Sequence, residues 1–365
     1  MRRTVLALII FVLLSAPCFA VSQNEEYRLY GAEELQEAVP EEARKAVGDI
    51  SLKDAADPQG LLSRIWSALT DDAMDALSSG IKSAVSVLAI VMLCSAAATF
   101  FDGGNIQEYV TLAGCLGISA CTVGGVRTLI GSGSAALSQL KDFSNILLPT
   151  LCTAAVSGGA VTSAAAKYAA ASMFIDILIN AADDFIVPLI YAYIALVIVG
   201  AALGGRAVKS AAKLLKWLCV TFMTAVTAVF TAYIGITGAV TGSTDAAAVK
   251  AAKMFMSASL PVVGGMISDA ASSVVAGAGI LRGAIGAFGM AAVCGICAAP
   301  VAALGVQLIL FKASAACASA LPSGRLSELI DGIADACGMM LGLTGCGAVM
   351  LFISIISSAR AVTGA

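Results

Sequence analysis

The sequence predicts an all-α membrane protein that crosses the bilayer several times and has a small helical segment outside it. Hydrophobic residues make up 59% of the 365 residues and charged residues only 12%, about half the fraction usual in soluble domains. Apolar runs of about 20 residues, the length that a membrane helix needs, recur from Ile81 onward. By contrast, 13 acidic and 5 basic residues lie between Val21 and Gly80. The chain therefore divides into an acidic segment (21–80) and a multipass transmembrane domain (81–365).

The first twenty residues have the pattern of a signal peptide. Two arginines precede an apolar stretch from Val5 to Leu14, and small residues precede Val21, which is the arrangement that signal peptidases recognise. We expect cleavage after Ala20, with an uncleaved anchor as the alternative. Either outcome places residues 21–80 outside the cytoplasm.

The acidic segment has apolar residues at helical spacing. Leu35, Val39 and Ala43 fall on one face of a first predicted helix, and Trp66 belongs to the apolar stripe of a second. The second helix could lie along the membrane, bind a partner or pack on the protein's own loops. Because the segment is acidic, we do not expect it to bind nucleic acid.

Six segments are clear candidates for membrane spans. They are Ile81–Phe101, Tyr109–Ile130, Phe185–Gly204, Leu214–Val240, Ala284–Phe311 and Gly338–Ser357. Two further regions, residues 143–184 and the stretch that follows Ser257, are long enough to cross but carry helix-breaking residues. Counting the first region as two crossings and the second as one gives nine spans, with seven or eight as alternatives.

Several residues are candidates for breaks in the helices. The candidate helix-break residues are Gly158, Gly159, Pro188, Pro261, Gly264 and Gly265. Broken or re-entrant helices persist at membrane depth only where protein or a water-filled cavity covers the exposed backbone. Some of the spans are therefore predicted to be broken or re-entrant.

The basic residues suggest an orientation. Arg206, Lys209, Lys213 and Lys216 lie close together, and such clusters favour the cytoplasmic side. With residue 80 outside, this position requires an odd number of crossings before Arg206. Five crossings there and nine in all would leave Lys312 and Arg325 outside and the C-terminus inside.

The composition excludes most catalytic and metal sites. The sequence contains no histidine, which removes the commonest general base and the commonest metal ligand. Ten of the eleven cysteines, all except Cys18, lie within or beside apolar segments, so we interpret them as packing residues. The sequence has no phosphate-binding glycine loop. We therefore predict neither an enzyme nor a cofactor or metal site.

Asp176 and Asp269 are the acidic residues that stand at membrane depth in the predicted spans. An aspartate at the centre of a membrane helix costs about 2.5–3.5 kcal/mol on insertion scales, so each must find a partner, face the bundle interior or be protonated. One hypothesis makes them an ion or substrate site of a secondary transporter. The other makes them structural groups that bond freed backbone N–H groups. Asp183 and Asp184 are interpreted as a loop before the next helix.

Glycine and other small residues are abundant throughout the predicted spans. Gly279 and Gly283, for example, have the four-residue spacing that lets helix backbones touch. This composition predicts tight helix packing in the bilayer and leaves homo-oligomer formation open.

Three stretches carry a resemblance to a known family. They are SGGAVTSAA from Ser157, DDFIVPLIYAYIAL from Asp183, and AAKMFMSASLPVVGGMISDAASSVV from Ala251. Together with the layout of leader, outside segment and membrane domain, they resemble the stage III sporulation protein AE family of endospore-forming bacteria. The resemblance covers Ile81 to the C-terminus; the outside segment is not matched residue by residue.

The resemblance implies a multipass protein of the mother-cell membrane that surrounds the forespore. It implies a channel or secretion-like complex, assembled with other stage III sporulation A proteins and stage II sporulation protein Q, that supports late sigma factor G activity in the forespore. No catalytic residues carry over. The alternative is a permease with its ion or substrate site near Asp269.

Overall fold

The computed structural model describes residues 32–41, 43–44, 58–100, 106–259, 264–321 and 324–360, and every element in these ranges is helical. The predicted signal peptide lies outside the described residues, as does most of the segment before residue 58. The helices are α1 (Ala32–Glu37), α2 (Pro58–Phe100), α3 (Ile106–Ser157), α4 (Val161–Ala181), α5 (Val187–Leu203), α6 (Arg206–Ser259), α7 (Gly264–Ser319) and α8 (Gly324–Arg360). A π-helical turn, Ala182–Ile186, joins α4 to α5.

Six helical stretches of the described chain are long and apolar enough to cross a membrane. They are Trp66–Phe100, Ile106–Ser157, Val161–Leu203, Arg206–Thr237, Arg282–Ser319 and Gly324–Ser358. The all-helical architecture predicted from the sequence is confirmed for the described residues. This count covers the described residues only, and in them some segments predicted to be separate are continuous helices.

The merged helices are α3, the α4–α5 pair and α7, which runs from the second interrupted region through the predicted span Ala284–Phe311. Helix α3 contains both the predicted span Tyr109–Ile130 and the first part of the interrupted region, up to Ser157. Its 52 residues extend over about 78 Å at 1.5 Å per residue, more than twice the thickness of a bilayer core. Asp183 and Asp184 were expected to form a loop and an N-terminal helix signal, but the chain has no loop there, because both lie in the π-helical turn that continues α4 into α5.

Helices α7 and α8 form the centre of the bundle. In their most apolar windows, 50% and 56% of the residues are buried, compared with 22–33% for the other four candidate spans. Helix α8 packs against α3, α5 and α6, while α7 packs against α2 and α3. Large buried side chains such as Phe288 and Phe311 of α7 and Leu343 of α8 belong to one continuous core.

The described residues of the acidic N-terminal segment are 32–41, 43–44 and 58–80. Leu35, Val39 and Ala43 are buried, and α1 packs against α3. Trp66 near the start of α2 is 67% exposed. Its side chain is therefore available to a membrane surface or a partner.

The helices alternate in direction between two ends of the bundle. At one end the α5–α6 loop meets the start of α8, where Gly204 lies beside Arg325. Gly204 ends α5 with φ 70°, a left-handed conformation suited to glycine. We call this the basic end, because Arg206, Lys209, Lys213, Lys216, Lys312 and Arg325 all lie near it.

The arrangement of the basic end corrects the predicted crossing pattern. That pattern separated Lys312 and Arg325 from the basic cluster of α6, whereas Lys312 and Lys216 here bond the same carboxylate. Three passes (α2, α3 and α4–α5) precede the α5–α6 loop. Six alternating passes bring the start of α2 and the end of α8 to the same, opposite end.

An ion-paired cluster as the candidate functional site

Asp335 is the centre of a polar cluster between four helices. Its Oδ2 accepts a hydrogen bond from Lys216 Nζ at 2.6 Å, and its Oδ1 accepts one from Lys312 Nζ at 2.8 Å. The hydroxyl of Tyr193 donates a longer bond to Oδ2 at 3.4 Å. The Asp335 side chain is only 16% exposed. Groups from α5, α6 and α7 thus converge on one shielded carboxylate of α8.

Two further ion pairs lie around Asp335, and their carboxylates are more exposed. Lys312 Nζ also lies 2.7 Å from Asp331 Oδ1, and Lys209 pairs with Glu328. The Asp331 and Glu328 side chains are 49% and 59% exposed. Solvent therefore screens these outer pairs more strongly than the pairs of Asp335.

Helical spacing explains why the charges meet. Glu328, Asp331 and Asp335 are three and four residues apart on α8 and therefore share one face. Lys209, Lys213 and Lys216 have the same kind of spacing on α6. Both helices begin at the basic end, so the two faces meet in register.

A groove continues from the cluster along α6 and α8. Its volume is about 1010 Å³, and Lys216 and Asp335 form its polar end. Thr227 and Ala228 line the α6 side, and Gly338 and Gly342 line the α8 side. The ion pairs hold the helices together at the basic end, whereas these small residues leave the space between the helices unfilled.

Asp245 performs a capping role at the opposite end. The N-cap residue of α4 is Ala160, which makes no side-chain capping bond. Instead, Asp245 of α6 accepts hydrogen bonds from the backbone N–H groups of Thr162 at 3.1 Å and Ser163 at 2.9 Å. Burial opposes ionisation of Asp245, but the hydrogen bonds from Ser163 and Thr162 outweigh it and hold the pKa of this carboxyl below its ordinary value.

A buried lysine connects α4 to the end of α8. Lys167 is 6% exposed, and its Nζ donates a hydrogen bond to the backbone carbonyl of Ser357 at 2.8 Å. A cation at a helix C-terminus also interacts favourably with the helix dipole. Together with the bonds of Asp245, this contact fixes the end of the bundle away from the basic end.

Asp176, a candidate site residue from the sequence, forms an ion pair with Lys141. Lys141 Nζ of α3 lies 3.6 Å from Asp176 Oδ1 and donates a hydrogen bond to Asn180 Oδ1 at 3.3 Å. The Asp176 side chain is 51% exposed. Asp176 is therefore a paired group on the outer surface of α3 and α4 in this chain.

Asp269, the other acidic candidate, lies in α7, but its side chain is outside the described part of the chain. Pro261 is outside the described residues. Gly264 and Gly265 are the first two residues of α7.

The remaining candidate breaks lie at two places. Gly158 and Gly159 form the turn between α3 and α4, with φ 89° at Gly159. Pro188 is the second residue of α5, directly after the π-helical turn. The chain therefore turns at the glycines but continues as a helix through the proline.

Sequence reasoning missed the Asp335 cluster. Asp331 and Asp335 stand four residues apart beside the apolar run that follows Gly338, and Lys312 follows an apolar run. The rule that singled out Asp176 and Asp269, a charge within or beside a membrane span, also applies to these residues. The pairing itself was beyond sequence reasoning, because Lys216 and Asp335 are 119 residues apart.

The cluster provides attachment between helices. Three lysines meet three carboxylates, so the paired charges balance. Among the described residues, no group of three or more acidic or cysteine side chains could hold a metal ion. The described cysteines are all unpaired thiols. The cluster therefore fixes the relative positions of α5, α6, α7 and α8.

The fold and its six long apolar helices define the class of protein, a polytopic helical membrane protein. A family model described as stage III sporulation protein AE matches residues 46–361, and the chain belongs to this family. The family is a family of sporulation proteins and is not a known enzyme family.

A curated relative agrees with the family assignment. The chain is 24% identical over 226 residues to stage III sporulation protein AE of Bacillus subtilis (strain 168). The aligned region covers 62% of this chain and 57% of the relative. No solved structure matches the chain.

Proposed function

We propose that the protein is a membrane scaffold of a channel or secretion-like complex between mother cell and forespore. The observation that carries the proposal is the family match over residues 46–361. In this proposal the chain assembles with other stage III sporulation A proteins and stage II sporulation protein Q. The assembled complex supports late forespore gene expression that depends on sigma factor G.

Two structural features support a scaffold. Charged groups of the bundle interior such as Asp335 and Lys167 are tied to other helices. Large apolar side chains such as Phe100, Trp217 and Ile236 are more than 60% exposed, which suits a surface that meets lipid or other membrane helices. A packed bundle with an apolar surface fits the role of an assembly core.

The proposed location is the mother-cell membrane around the forespore, with residues 21–80 in the space between the two membranes. Its support is the basic end, where six lysines and arginines lie together and which the positive-inside tendency assigns to the cytoplasm. Three passes separate this end from the N-terminal segment. An odd number of passes places that segment outside the cytoplasm.

The permease alternative needs a titrating acid at membrane depth. The pairing of Asp176 with Lys141 gives that carboxylate a structural partner and so favours the scaffold. The scaffold and the permease should respond differently when either carboxylate is replaced by a carboxamide. A scaffold tolerates Asp176→Asn and Asp269→Asn, whereas proton or cation coupling through either residue does not.

The test is deletion of the gene in its host and complementation at the native protein level. We expect the deletion strain to engulf forespores but fail to express a late sigma G-dependent reporter, and the wild-type gene to restore expression. A fluorescent fusion should surround the forespore. Normal reporter expression in the deletion strain would contradict the proposal. Reporter loss in stable Asp176→Asn or Asp269→Asn variants would favour the permease.

A further inference from the structure

The groove between α6 and α8 has no role in the proposed scaffold. It opens to the outside of the bundle between two candidate spans, Arg206–Thr237 and Gly324–Ser358, so bilayer components can reach it. Its volume of about 1010 Å³ lies at the upper end of the range of about 300–1,000 Å³ typical of small-molecule sites. Apart from Lys216 and Asp335 at one end, its lining is apolar, small or threonine.

The basic end, to which the polar end of the groove belongs, has a surplus of positive charge. On α5, α6, α7 and α8 near this end lie six cations, Arg206, Lys209, Lys213, Lys216, Lys312 and Arg325, but only three carboxylates, Glu328, Asp331 and Asp335. The carboxylates pair with Lys209, Lys216 and Lys312. Three cations of these four helices thus remain in excess at the basic end.

Lys213 is the surplus cation best placed to bind a ligand in the groove. It lies three residues before Lys216 and seven before Val220, both of which line the groove, and this spacing puts it on the same face of α6. Its side chain is exposed. In the described part of the chain, no carboxylate forms an ion pair with it.

We propose that this groove binds an anionic phospholipid, with its acyl chains along the apolar lining and its phosphate at Lys213. The charge surplus selects a negative headgroup, and the apolar lining between two spans suits hydrocarbon. Basic pockets between membrane helices commonly bind anionic headgroups. Trp217, 61% exposed and next to Lys216, is of a type enriched where membrane meets water. A partner helix would fill the apolar lining but would not use the surplus charge.

Trp217 allows a direct measurement. The chain has two tryptophans, so Trp66→Phe leaves Trp217 as the reporter. The full-length protein is titrated in mild detergent with brominated phosphatidylglycerol or brominated phosphatidylcholine, whose bromines quench nearby tryptophan fluorescence. We expect half-maximal quenching at a concentration of the anionic lipid that is about fivefold lower than that of phosphatidylcholine. This factor corresponds to about 1 kcal/mol of attraction per lysine.

Two variants and a control test the groove itself. Lys213→Gln should bring the two lipids within about twofold of each other, while Lys82→Gln, an exposed lysine on α2, should preserve the preference. Gly342→Leu should weaken quenching by both lipids, because its side chain would project into the groove near Met223.

Three results would overturn the proposal. Equal quenching of the Trp217 protein by both lipids would indicate bulk lipid contact only. An unchanged preference in Lys213→Gln would remove the headgroup site. Loss of self-association in Gly342→Leu, with lipid preference unchanged, would assign the groove to a second copy of the chain.

Discussion

Asp335 accepts hydrogen bonds from lysines on two different helices, so its negative charge holds α6 and α7 to α8. Lys216 pairs with this carboxylate, whereas Lys312 also pairs with Asp331. At the other end, Asp245 supplies the capping bonds that Ala160 cannot make. At the residue scale, single acidic side chains join helices that are far apart in the sequence.

Asp335→Asn should destabilise the folded protein by about 1–3 kcal/mol. The amide removes the negative charge opposite Lys216 and Lys312, and leaving partly buried charges without their shared partner is costly. The expected loss lies below that of a fully buried pair, because the two lysines are 43% and 42% exposed. Reversible unfolding in mixed detergent micelles measures it.

Glu328→Gln is the matched control, since its pair with Lys209 is more exposed. Its cost should be about 0–1 kcal/mol, as for surface pairs in general. Equal losses in the two variants would contradict the central position assigned to Asp335.

The capping bonds of Asp245 predict a dependence on pH. Its pKa is lower in the folded than in the unfolded protein, so its stabilisation is present above about pH 4, the ordinary range of an aspartate, and is lost as the pH falls through the folded pKa. The free energy of unfolding should therefore fall more steeply below about pH 4 in the wild type than in Asp245→Asn. Parallel pH profiles of the two proteins would refute this role.

The helices are longer than the sequence pattern predicted, and their interruptions differ in kind. Pro149 and Pro300 lie inside continuous α3 and α7, and Pro188 follows a π-helical turn. Packed membrane helices tolerate proline because neighbouring groups satisfy the freed backbone. At the element scale, the turn at Gly158 and Gly159 coincides with a helix end, and Gly264 and Gly265 coincide with the start of α7.

Close packing between α5 and α8 gives a prediction at this scale. A Cβ on Gly332 would collide with Val197 of α5, so Gly332→Ala should cost about 1–3 kcal/mol, the usual range for overpacking. Adding Val197→Ala should cost less than the sum of the two single changes. Unfolding free energies of the three variants test this coupling.

Gly345→Ala, on the same helix, is the control. No atom lies within 4 Å of the Cβ it would add. Its stability should be unchanged or raised by up to about 1 kcal/mol, the usual gain of alanine over glycine in a helix. A loss in Gly345→Ala as large as that in Gly332→Ala would contradict the packing explanation.

At the scale of the whole molecule, composition and the lengths of apolar runs predicted a helical membrane protein correctly. The grouping of those runs into helices was not predictable in the same way, because polar residues such as Ser134 and Asp183 can bond each other between neighbouring helices instead of ending them. The central cluster was missed because hydrogen bonds between α6 and α8 depend on tertiary packing. Helical periodicity shows which face a residue occupies but not which helix it meets.

The six-pass arrangement, with the basic end in the cytoplasm, is the central claim about the molecule. Reporter fusions after Arg360 and within the loop at 204–205 test it most directly, using alkaline phosphatase, which is active outside the cytoplasm, and green fluorescent protein, which fluoresces inside. We expect phosphatase activity without fluorescence after Arg360 and the reverse at 204–205. Fluorescence after Arg360 would require an odd number of crossings after residues 21–80 and would contradict the arrangement.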